Sequence, residues 1–349
     1  MTPAFVAIDY ESTLQFLASR PNQALSFGAL FIAFVIAICY FSYIYKKRRG
    51  RPASVRKLLS FVFPRRLIGH KSNLIDFMMF FINHKLIGLA LVWMVVSFHY
   101  IHQSVNGAMA AALGPSSPTT LDPWLVTAIM TVALYIAYEF AYWLDHWLCH
   151  RIPFLWEFHR VHHEAEVLTP MTNIRVHPVD SLFFSNVMAV VIGSASGMLT
   201  YGFGYEASDM TIYGINAILM VGILLVVQLQ HSHVWIPFTG VWGHIFMSPA
   251  HHQIHHSLNP KHYDTNMGSC LCVFDWMFGT LYVPSKEREK ITFGVEQEHA
   301  DVDPHTIMHS LVDPFVRAFR HLRPAPKTAA ASAADKPASD LNTPIVPAE

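Results

Sequence analysis

Residues 146–163 read HWLCHRIPFLWEFHRVHH and contain five histidines in two groups, HxxxH and then HxxHH. Side chains three or four residues apart project from the same side of a helix, so each group predicts a set of converging imidazoles. A second HxxHH follows at residues 252–256. The histidines of these boxes are His146, His150, His159, His162, His163, His252, His255 and His256. Eight imidazoles in three boxes predict a metal centre with two ions.

The donor atoms of the boxes narrow the choice of metal. Neutral imidazole suits iron, zinc, copper and nickel, whereas magnesium and calcium prefer oxygen ligands. Structural zinc sites use four ligands with cysteine prominent, and the boxes offer more histidines than one such ion needs. The sequence shows no ExxH pair in its apolar segments, unlike carboxylate-rich diiron bundles. Val167 replaces the second histidine of a zinc metalloprotease HExxH motif. An all-nitrogen shell therefore favours iron that activates O2.

Other residues near the boxes are candidates for supporting roles. His231 directly follows an apolar segment and is predicted to be a further ligand. Groups that orient a ligating imidazole bond to its other ring nitrogen. By residue type and neighbourhood, the candidates for this role are Asp145, His177, Asp180, His233, Asp264, Asn266 and Asp275. The alternative interpretation of the acidic and amide residues is ordinary helix caps or solvated groups, and for His177 and His233 a ligand role also stays open. Glu139 lies inside an apolar segment, where a carboxylate is costly unless it is functional or paired.

The composition is that of a membrane protein. Of 349 residues, 52% are hydrophobic and 14% are charged, and the formal net charge is zero, so no global field favours nucleic acid. The four cysteines form no paired framework, which fits a reducing compartment. Five apolar segments predict membrane spans, at residues 26–45, 86–100 (with a contribution from 74–82), 123–144, 181–203 and 210–230.

The charges beside the first span predict the orientation. Residues 46–71 hold ten Lys or Arg and no acid, so the positive-inside rule makes this loop cytoplasmic. Because successive spans cross the membrane in alternating directions, every histidine box is then predicted to lie on the cytoplasmic face. The predicted fold is an all-α, multi-pass membrane bundle of four to five spans with a cytosolic helical cap that carries the histidine-rich dimetal site. A bacterial inner membrane is favoured over the endoplasmic reticulum.

The chain divides into four predicted parts. Residues 1–72 are an N-terminal span and basic loop, residues 73–290 a membrane catalytic domain, residues 291–322 a cytosolic C-terminal helix and residues 323–349 a disordered tail rich in Ala, Pro and Ser.

The boxes resemble those of the fatty acid hydroxylase/sterol desaturase superfamily of membrane enzymes. The resemblance covers roughly residues 123–284 and rests on HWLCH, WEFHRVHH, RVHPVD, QHSHV, SPAHHQIHHS and HYDTNMGSCLCVFDWMFGTLY. It implies a four-span core under a cytosolic cap, a histidine-ligated diiron site and O2-dependent oxidation of a lipid C–H bond. The eight box histidines match family ligands, and His231 matches a further ligand expected after the last span. Many relatives have Asn where this chain has His233.

The resemblance also implies the cofactors and partners. Two non-haem iron ions are expected, with O2 as co-substrate, zinc as a substitute metal in isolated protein, and no catalytic residue apart from the ligands. A separate ferredoxin, cytochrome b5 or reductase must supply electrons, because the chain has no Gly-rich dinucleotide fingerprint and its HPVD is not the HPGG of a fused cytochrome b5 domain. The substrate (sterol, fatty acyl, ether lipid or carotenoid) and the choice between hydroxylation and desaturation stay open. The alternative is a histidine-rich membrane metal-binding or transport protein, although transport sites lie near the bilayer midplane.

Overall fold

The computed structural model describes residues 27–83, 96–212, 214–296, 303 and 305–322. The helices in chain order are α1 (Phe27–Arg49), α2 (Val55–Val62), α3 (Arg65–Ile68), α4 (Lys71–Ile82), α5 (Phe98–Leu113), α6 (Pro123–Arg151), α7 (Pro153–His163), α8 (Pro178–Phe203), α9 (Ala217–Gly222), α10 (Gly240–Ile245), α11 (Pro249–His255), α12 (Val273–Phe278), α13 (Ile307–Leu311) and α14 (Asp313–His321). The other described elements are two short 3-10 helices (Pro170–Ile174 and Pro260–His262), a π-helix (Ile223–Val227) that continues into a short helix (Gln228–Gln230), and one antiparallel pair of two-residue strands, β1 (Thr211–Ile212) and β2 (Ile215–Asn216).

Three of the described helices, α1, α6 and α8, are long and apolar enough to cross a membrane. Asp122 caps α6 by accepting the Trp124 N–H at 2.8 Å, and Pro123 occupies the first turn, where its missing N–H costs nothing. The predicted all-α membrane fold class is confirmed. Residues 86–95 of the predicted second span lie outside the described residues, and α5 extends beyond that span's predicted end, to Leu113.

The predicted span at residues 210–230 is shorter than expected. Its first residues form the β1–β2 hairpin, whose turn includes Gly214 at φ +74°, and helix begins only at Ala217. The Asn216 side chain caps this helix by accepting the Ile218 N–H at 3.1 Å. From α9 the helix continues through a π-helical stretch at Ile223–Val227 to Gln230 and ends beside His231. Turn chemistry at Gly214 and Asn216 thus outweighs the apolar pattern.

Helices α5 and α8 pack closely because glycine faces the contact. A Cβ added at Gly197 would lie 2.5 Å from the carbonyl oxygen of His102, and one added at Gly193 would lie 3.0 Å from that of Phe98. The His102 ring joins the two helices through a 3.0 Å contact between its Nδ1 and Ser196 Oγ.

Replacing Gly197 with alanine is expected to destabilise the protein by about 1–3 kcal/mol, because the new methyl group forces two backbones apart. Thermal unfolding of the detergent-purified protein measures the effect. Gly202→Ala on the same helix is the matched control, since a Cβ there meets no atom within 4 Å. Equal unfolding temperatures for the two variants would contradict this account of the packing.

A buried ionic network ties α4 to the box-bearing helix α7. Arg175 is fully buried; its Nη1 lies 3.4 Å from Asp76 Oδ1, and its Nε donates to the carbonyl oxygen of Val161 at 2.8 Å. Thr172 Oγ1 donates to the other oxygen of Asp76 at 2.8 Å. The network therefore compensates a carboxylate that has no access to water.

The C-terminal helix α14 also packs against α7. Arg317 Nε donates to Glu157 Oε2 at 2.8 Å, and the His321 ring contacts Oε1 of the same carboxylate at 2.9 Å. The rings of Phe315 and Phe158 pack edge to face, with centroids 5.2 Å apart. Helix α7 is thus held by contacts with both α4 and α14.

Candidate metal centre

Four chain segments bring the candidate ligands together at one end of the bundle. The last two turns of α6 carry His146 and His150, α7 carries the first HxxHH, and α11 carries the second. His231 follows the helical stretch that ends at Gln230. A capping box at Ser248 fixes the start of α11, because Ser248 Oγ accepts the His251 N–H while the His251 ring faces the Ser248 N–H.

The nine predicted ligands fall into two groups. Within each group, one ring nitrogen from every residue lies within 4.8 Å of all the others. The five-histidine group contains His146, His150, His159, His163 and His255. The four-histidine group contains His162, His231, His252 and His256. Each HH doublet therefore contributes one histidine to each group, and the two candidate ion positions are neighbours.

Ring-nitrogen spacings in the four-histidine group fit a shared ion. His231 Nε2 lies 2.9 Å from His252 Nε2, 3.1 Å from His162 Nε2 and 3.2 Å from His256 Nε2. Two nitrogens bound to one ion at about 2.0–2.1 Å, with ordinary bond angles, lie roughly 2.9–3.4 Å apart. In the five-histidine group, His163 Nε2 lies 3.2 Å from Nε2 of both His150 and His255.

Backbone carbonyls set the protonation of three imidazoles. The Nδ1 atoms of His146 and His255 each lie 2.8 Å from a carbonyl oxygen, of Met267 and Thr265 respectively. His162 Nδ1 lies 3.3 Å from the carbonyl oxygen of Arg175. A carbonyl can only accept, so these Nδ1 atoms carry the proton and each Nε2 keeps its lone pair for the group it faces.

Two carboxylates face the remaining nitrogens of the five-histidine group. Asp180 Oδ2 lies 3.1 Å from His159 Nδ1, and Asp264 Oδ1 lies 3.5 Å from His150 Nδ1. Asp180 is in the first turn of α8, whereas Asp264 has the left-handed φ of +56°. Of the predicted supporting residues, these two lie directly against a ligand candidate.

Asp275, Asn266 and Asp145 occupy other places. Asp275 accepts the backbone N–H groups of Met267 at 2.8 Å and Gly268 at 2.9 Å, so it holds the loop whose carbonyl faces His146. The Asn266 side chain bonds the backbone of His251 and Tyr282. Asp145 is buried on α6, one residue before His146.

His177 and His233 lie outside both groups. His177 caps α8 by accepting the Val179 N–H at Nδ1, and its ring packs between Phe158 and Phe315. His233 Nε2 lies 2.6 Å from the carbonyl oxygen of Phe61. Both rings are therefore engaged with the protein backbone away from the nine histidines.

Glu139, the carboxylate inside an apolar segment, is paired in the structure. It is buried on α6 and accepts backbone N–H groups of Cys270 at 3.0 Å and Leu271 at 2.9 Å. Glu139 thus anchors the same loop as Asp275. The carbonyl partners of the histidines were missed from sequence, because every residue has a carbonyl and no residue type marks its direction.

Burial favours the neutral form of six of the nine histidines. It lowers the pKa of His162, His163, His252 and His256 well below the ordinary 6.5, with neighbouring histidines adding to the effect. It lowers the pKa of His231 and His255 to about 3. Neutral imidazole is the form that binds a metal ion.

Buried ring nitrogens that lack hydrogen-bond partners indicate whether the site suits a metal ion. Among the described residues, Nε2 of His146 and of His159 has no hydrogen-bond partner, although both residues belong to the five-histidine group. An unpartnered buried acceptor is costly, and coordination of an ion removes that cost. The all-nitrogen donor set fits iron, zinc, copper or nickel.

Changing Asp180 to asparagine is expected to weaken metal binding by about 10–100-fold, because a neutral amide raises the basicity of His159 less than a carboxylate does. Metal retained after dialysis against a graded chelator measures the loss. Asp122→Asn is the control, because Asp122 caps the end of α6 that is far from His146 and His150, and it should leave retention unchanged. Wild-type retention in the Asp180 variant would show that this contact does not tune the site.

Comparison with known proteins identifies the class. Residues 131–280 match the family model described as fatty acid hydroxylase, a range that includes all nine histidines. The protein is therefore a membrane protein with a fatty acid hydroxylase domain, and the resemblance drawn from the histidine boxes is confirmed.

The curated proteins that match this chain are distant relatives. An alkylglycerol monooxygenase of Xenopus tropicalis is 24% identical over 158 residues, which cover 45% of this chain and 31% of that protein. The alkylglycerol monooxygenase of Danio rerio is 24% identical over 149 residues, covering 42% and 28%, and that of Caenorhabditis elegans is 23% identical over 167 residues, covering 47% and 29%. The chain thus aligns with less than a third of each relative's length. No solved structure matches the chain.

Proposed function

We propose that the protein is an O2-dependent membrane hydroxylase that oxidises an unactivated C–H bond of a lipid at a histidine-ligated diiron centre. The observation that carries this proposal is the pair of adjacent histidine groups, each with spacings that fit one ion. The fatty acid hydroxylase domain and the monooxygenase relatives support lipid oxidation, and favour hydroxylation over desaturation. Residues 73–290 form the proposed catalytic domain.

The chain's own residues prepare the site for that chemistry. Bound iron would supply the activation of O2, which protein side chains do not provide. The nine histidines present ring nitrogens, and Asp180, Asp264 and the loop carbonyls hold selected rings in orientation. Eight of the nine histidines are buried, which would keep bulk water away from bound ions.

The class of substrate follows from the membrane setting and the relatives. A lipid can reach the site from the bilayer, because the ligands lie at the ends of apolar helices. The relatives are alkylglycerol monooxygenases, so ether lipids of glycerol are the first class to test. Electrons come from a separate ferredoxin, cytochrome b5 or reductase.

The basic segment 46–71 supports a cytoplasmic position for the metal centre, by the positive-inside rule. A bacterial inner membrane stays the prediction from sequence, whereas the eukaryotic relatives favour the endoplasmic reticulum.

Elemental analysis and product analysis together test the proposal. Protein purified from iron-supplemented cells should contain two irons per chain and show no haem absorbance. Cells that express it under isotopically labelled O2 should accumulate a lipid carrying one labelled oxygen atom. A lipid lacking two hydrogens, without label, would instead identify a desaturase. A single exchangeable zinc with no lipid product would favour a metal-binding or transport protein.

A further inference from the structure

Residues 46–71, from the last turn of α1 to the first residue of α4, form a basic arm. Its ten cationic side chains are all exposed, and they are Lys46, Lys47, Arg48, Arg49, Arg51, Arg56, Lys57, Arg65, Arg66 and Lys71. Within the described part of the chain, only Lys71 of these ten lies within ion-pair distance of a carboxylate, at 3.9 Å from Asp303. Nine positive charges therefore face outward without an acidic partner among the described residues.

The same arm exposes large apolar side chains. Val55 and Leu59, one turn apart on α2, are 70% and 47% exposed, and Phe63 and Ile68 are also exposed. Apolar and cationic side chains alternate along the arm, so both kinds face its surroundings. An exposed surface of this composition is typical of segments that lie at a membrane interface.

Helix α4, which follows the arm, has the polarity of a lipid-facing helix. Leu74, Phe77 and Phe81 form an exposed stripe, and Leu74 is 61% exposed. Ser72 and Asp76 on the opposite side are fully buried, in the network with Arg175. A water-facing helix would show the reverse arrangement. The arm therefore leads directly into a surface that faces lipid.

Specific contacts hold the arm against a membrane-spanning helix. After a turn at Gly50, with φ +67°, helix α2 folds back along α1. The Phe61 ring stacks on Phe41 with centroids 4.1 Å apart, and Lys57 Nζ donates to the Tyr45 hydroxyl at 2.7 Å. These contacts place the cationic side chains next to the apolar bundle.

The arm and α4 also contact residues that adjoin candidate ligands in sequence. The Phe61 carbonyl faces the His233 ring, two residues after His231 of the four-histidine group. At the other end of the arm, α4 is joined through Arg175 to the carbonyl of Val161, next to His162 of the same group. Contacts of the arm and of α4 thus reach segments that adjoin His231 and His162 in sequence.

We propose that the basic arm binds the headgroups of anionic phospholipids in the membrane that holds the protein. The exposed Arg and Lys side chains attract the phosphate groups, while Val55, Leu59, Phe63 and Ile68 enter the acyl region. A juxtamembrane cation near an anionic surface strengthens binding by about 1 kcal/mol, or roughly fivefold. A nucleic acid would not use the apolar side chains, which favours lipid as the occupant.

The test compares lipid binding by the full-length protein in mixed micelles. The thermal unfolding midpoint is measured against the mole fraction of phosphatidylglycerol, with phosphatidylcholine as the zwitterionic reference. For the wild type, half of the maximal rise in the unfolding midpoint should occur at a much lower mole fraction of phosphatidylglycerol than of phosphatidylcholine. The triple variant Arg56→Gln, Arg65→Gln, Arg66→Gln should lose on the order of 100-fold in apparent affinity for phosphatidylglycerol and keep its response to phosphatidylcholine.

A matched variant separates this surface from net charge. Lys286→Gln, Lys290→Gln, Arg320→Gln removes three exposed cations elsewhere and should retain the wild-type preference. If the arm variant keeps that preference, or the control loses it equally, the proposal is overturned. Equal stabilisation by inorganic phosphate, or tighter binding of an oligonucleotide, would also overturn the assignment to lipid.

A wild-type salt titration keeps the proposal testable if the arm variant does not fold. The preference for phosphatidylglycerol should fall strongly between about 0.1 and 1 M salt, because the Debye screening length shortens from about 10 Å to about 3 Å over that range. A preference that does not change with salt would exclude an electrostatic arm.

Discussion

Replacing His231 with alanine is expected to remove one of the two proposed metal ions from the purified protein. Lipid oxidation should fall by more than about 100-fold, because loss of a direct ligand should exceed the roughly 10–100-fold cost of losing a group that only orients a ligand. His231 has the central position in the four-histidine group, because its Nε2 lies 2.9–3.2 Å from the Nε2 atoms of His162, His252 and His256. Its loss leaves three candidate ligands at that position. Elemental analysis and product formation in the same preparation measure the two effects.

The corresponding change in the other group should have a different outcome. His163→Ala leaves four of five candidate ligands, so this variant should retain more metal than His231→Ala while its turnover also falls. His99→Ala, an exposed histidine on α5, is the control and should match the wild type in both readouts. Full metal content with full turnover in the His231 variant would refute the ligand assignment.

Replacing Arg175 with methionine is expected to destabilise the protein by about 3–5 kcal/mol, which is the range for removing one partner of a buried ion pair. The change leaves the Asp76 carboxylate without its cation and removes the Nε–H that the Val161 carbonyl accepts at 2.8 Å. Because the Arg175 carbonyl also faces His162 Nδ1, loosening this segment should lower metal retention as well. Chemical denaturation in detergent measures the stability.

A double variant separates the charge from the packing. Arg175→Met with Asp76→Leu replaces both charges by apolar groups, and such replacements of buried pairs are often neutral. The double variant should therefore recover most of the stability that the single variant loses. If the single variant is as stable as the wild type, or the second change adds to the loss, the pair is not the source of the stability.

Sequence patterns predicted the long helices but not every boundary. The apolar content of residues 123–144 indicated a span, and the structure extends that helix to Arg151, so two ligand candidates stand on the same rigid element as the span. The pattern failed at residues 210–216, where the turn preferences of Gly214 and the capping side chain of Asn216 produce a hairpin. A hydropathy average does not register such local hydrogen bonds.

Some of the predicted supporting residues contact a box histidine, and others do not. Asp180 and Asp264 were chosen by type and neighbourhood, and both contact a box histidine. Asp275 was chosen in the same way, yet it bonds the backbone of Met267 and Gly268, and His177 and His233 bond the backbone elsewhere. Residue type indicates what a side chain can bond, but its partner depends on which chain segments the fold brings beside it.

The sequence by itself determined the donor atoms of the centre and their clustering, because a helix places residues three and four apart on one side. Only the tertiary structure decided how the histidines divide. In the first HxxHH, the outer pair His159 and His163 joins the five-histidine group, whereas in the second the outer pair His252 and His256 joins the four-histidine group. Neighbouring residues on a helix point about 100° apart, so each doublet reaches two groups. Which group each histidine meets depends on where α6, α7 and α11 converge, and that arrangement results from packing between distant parts of the chain.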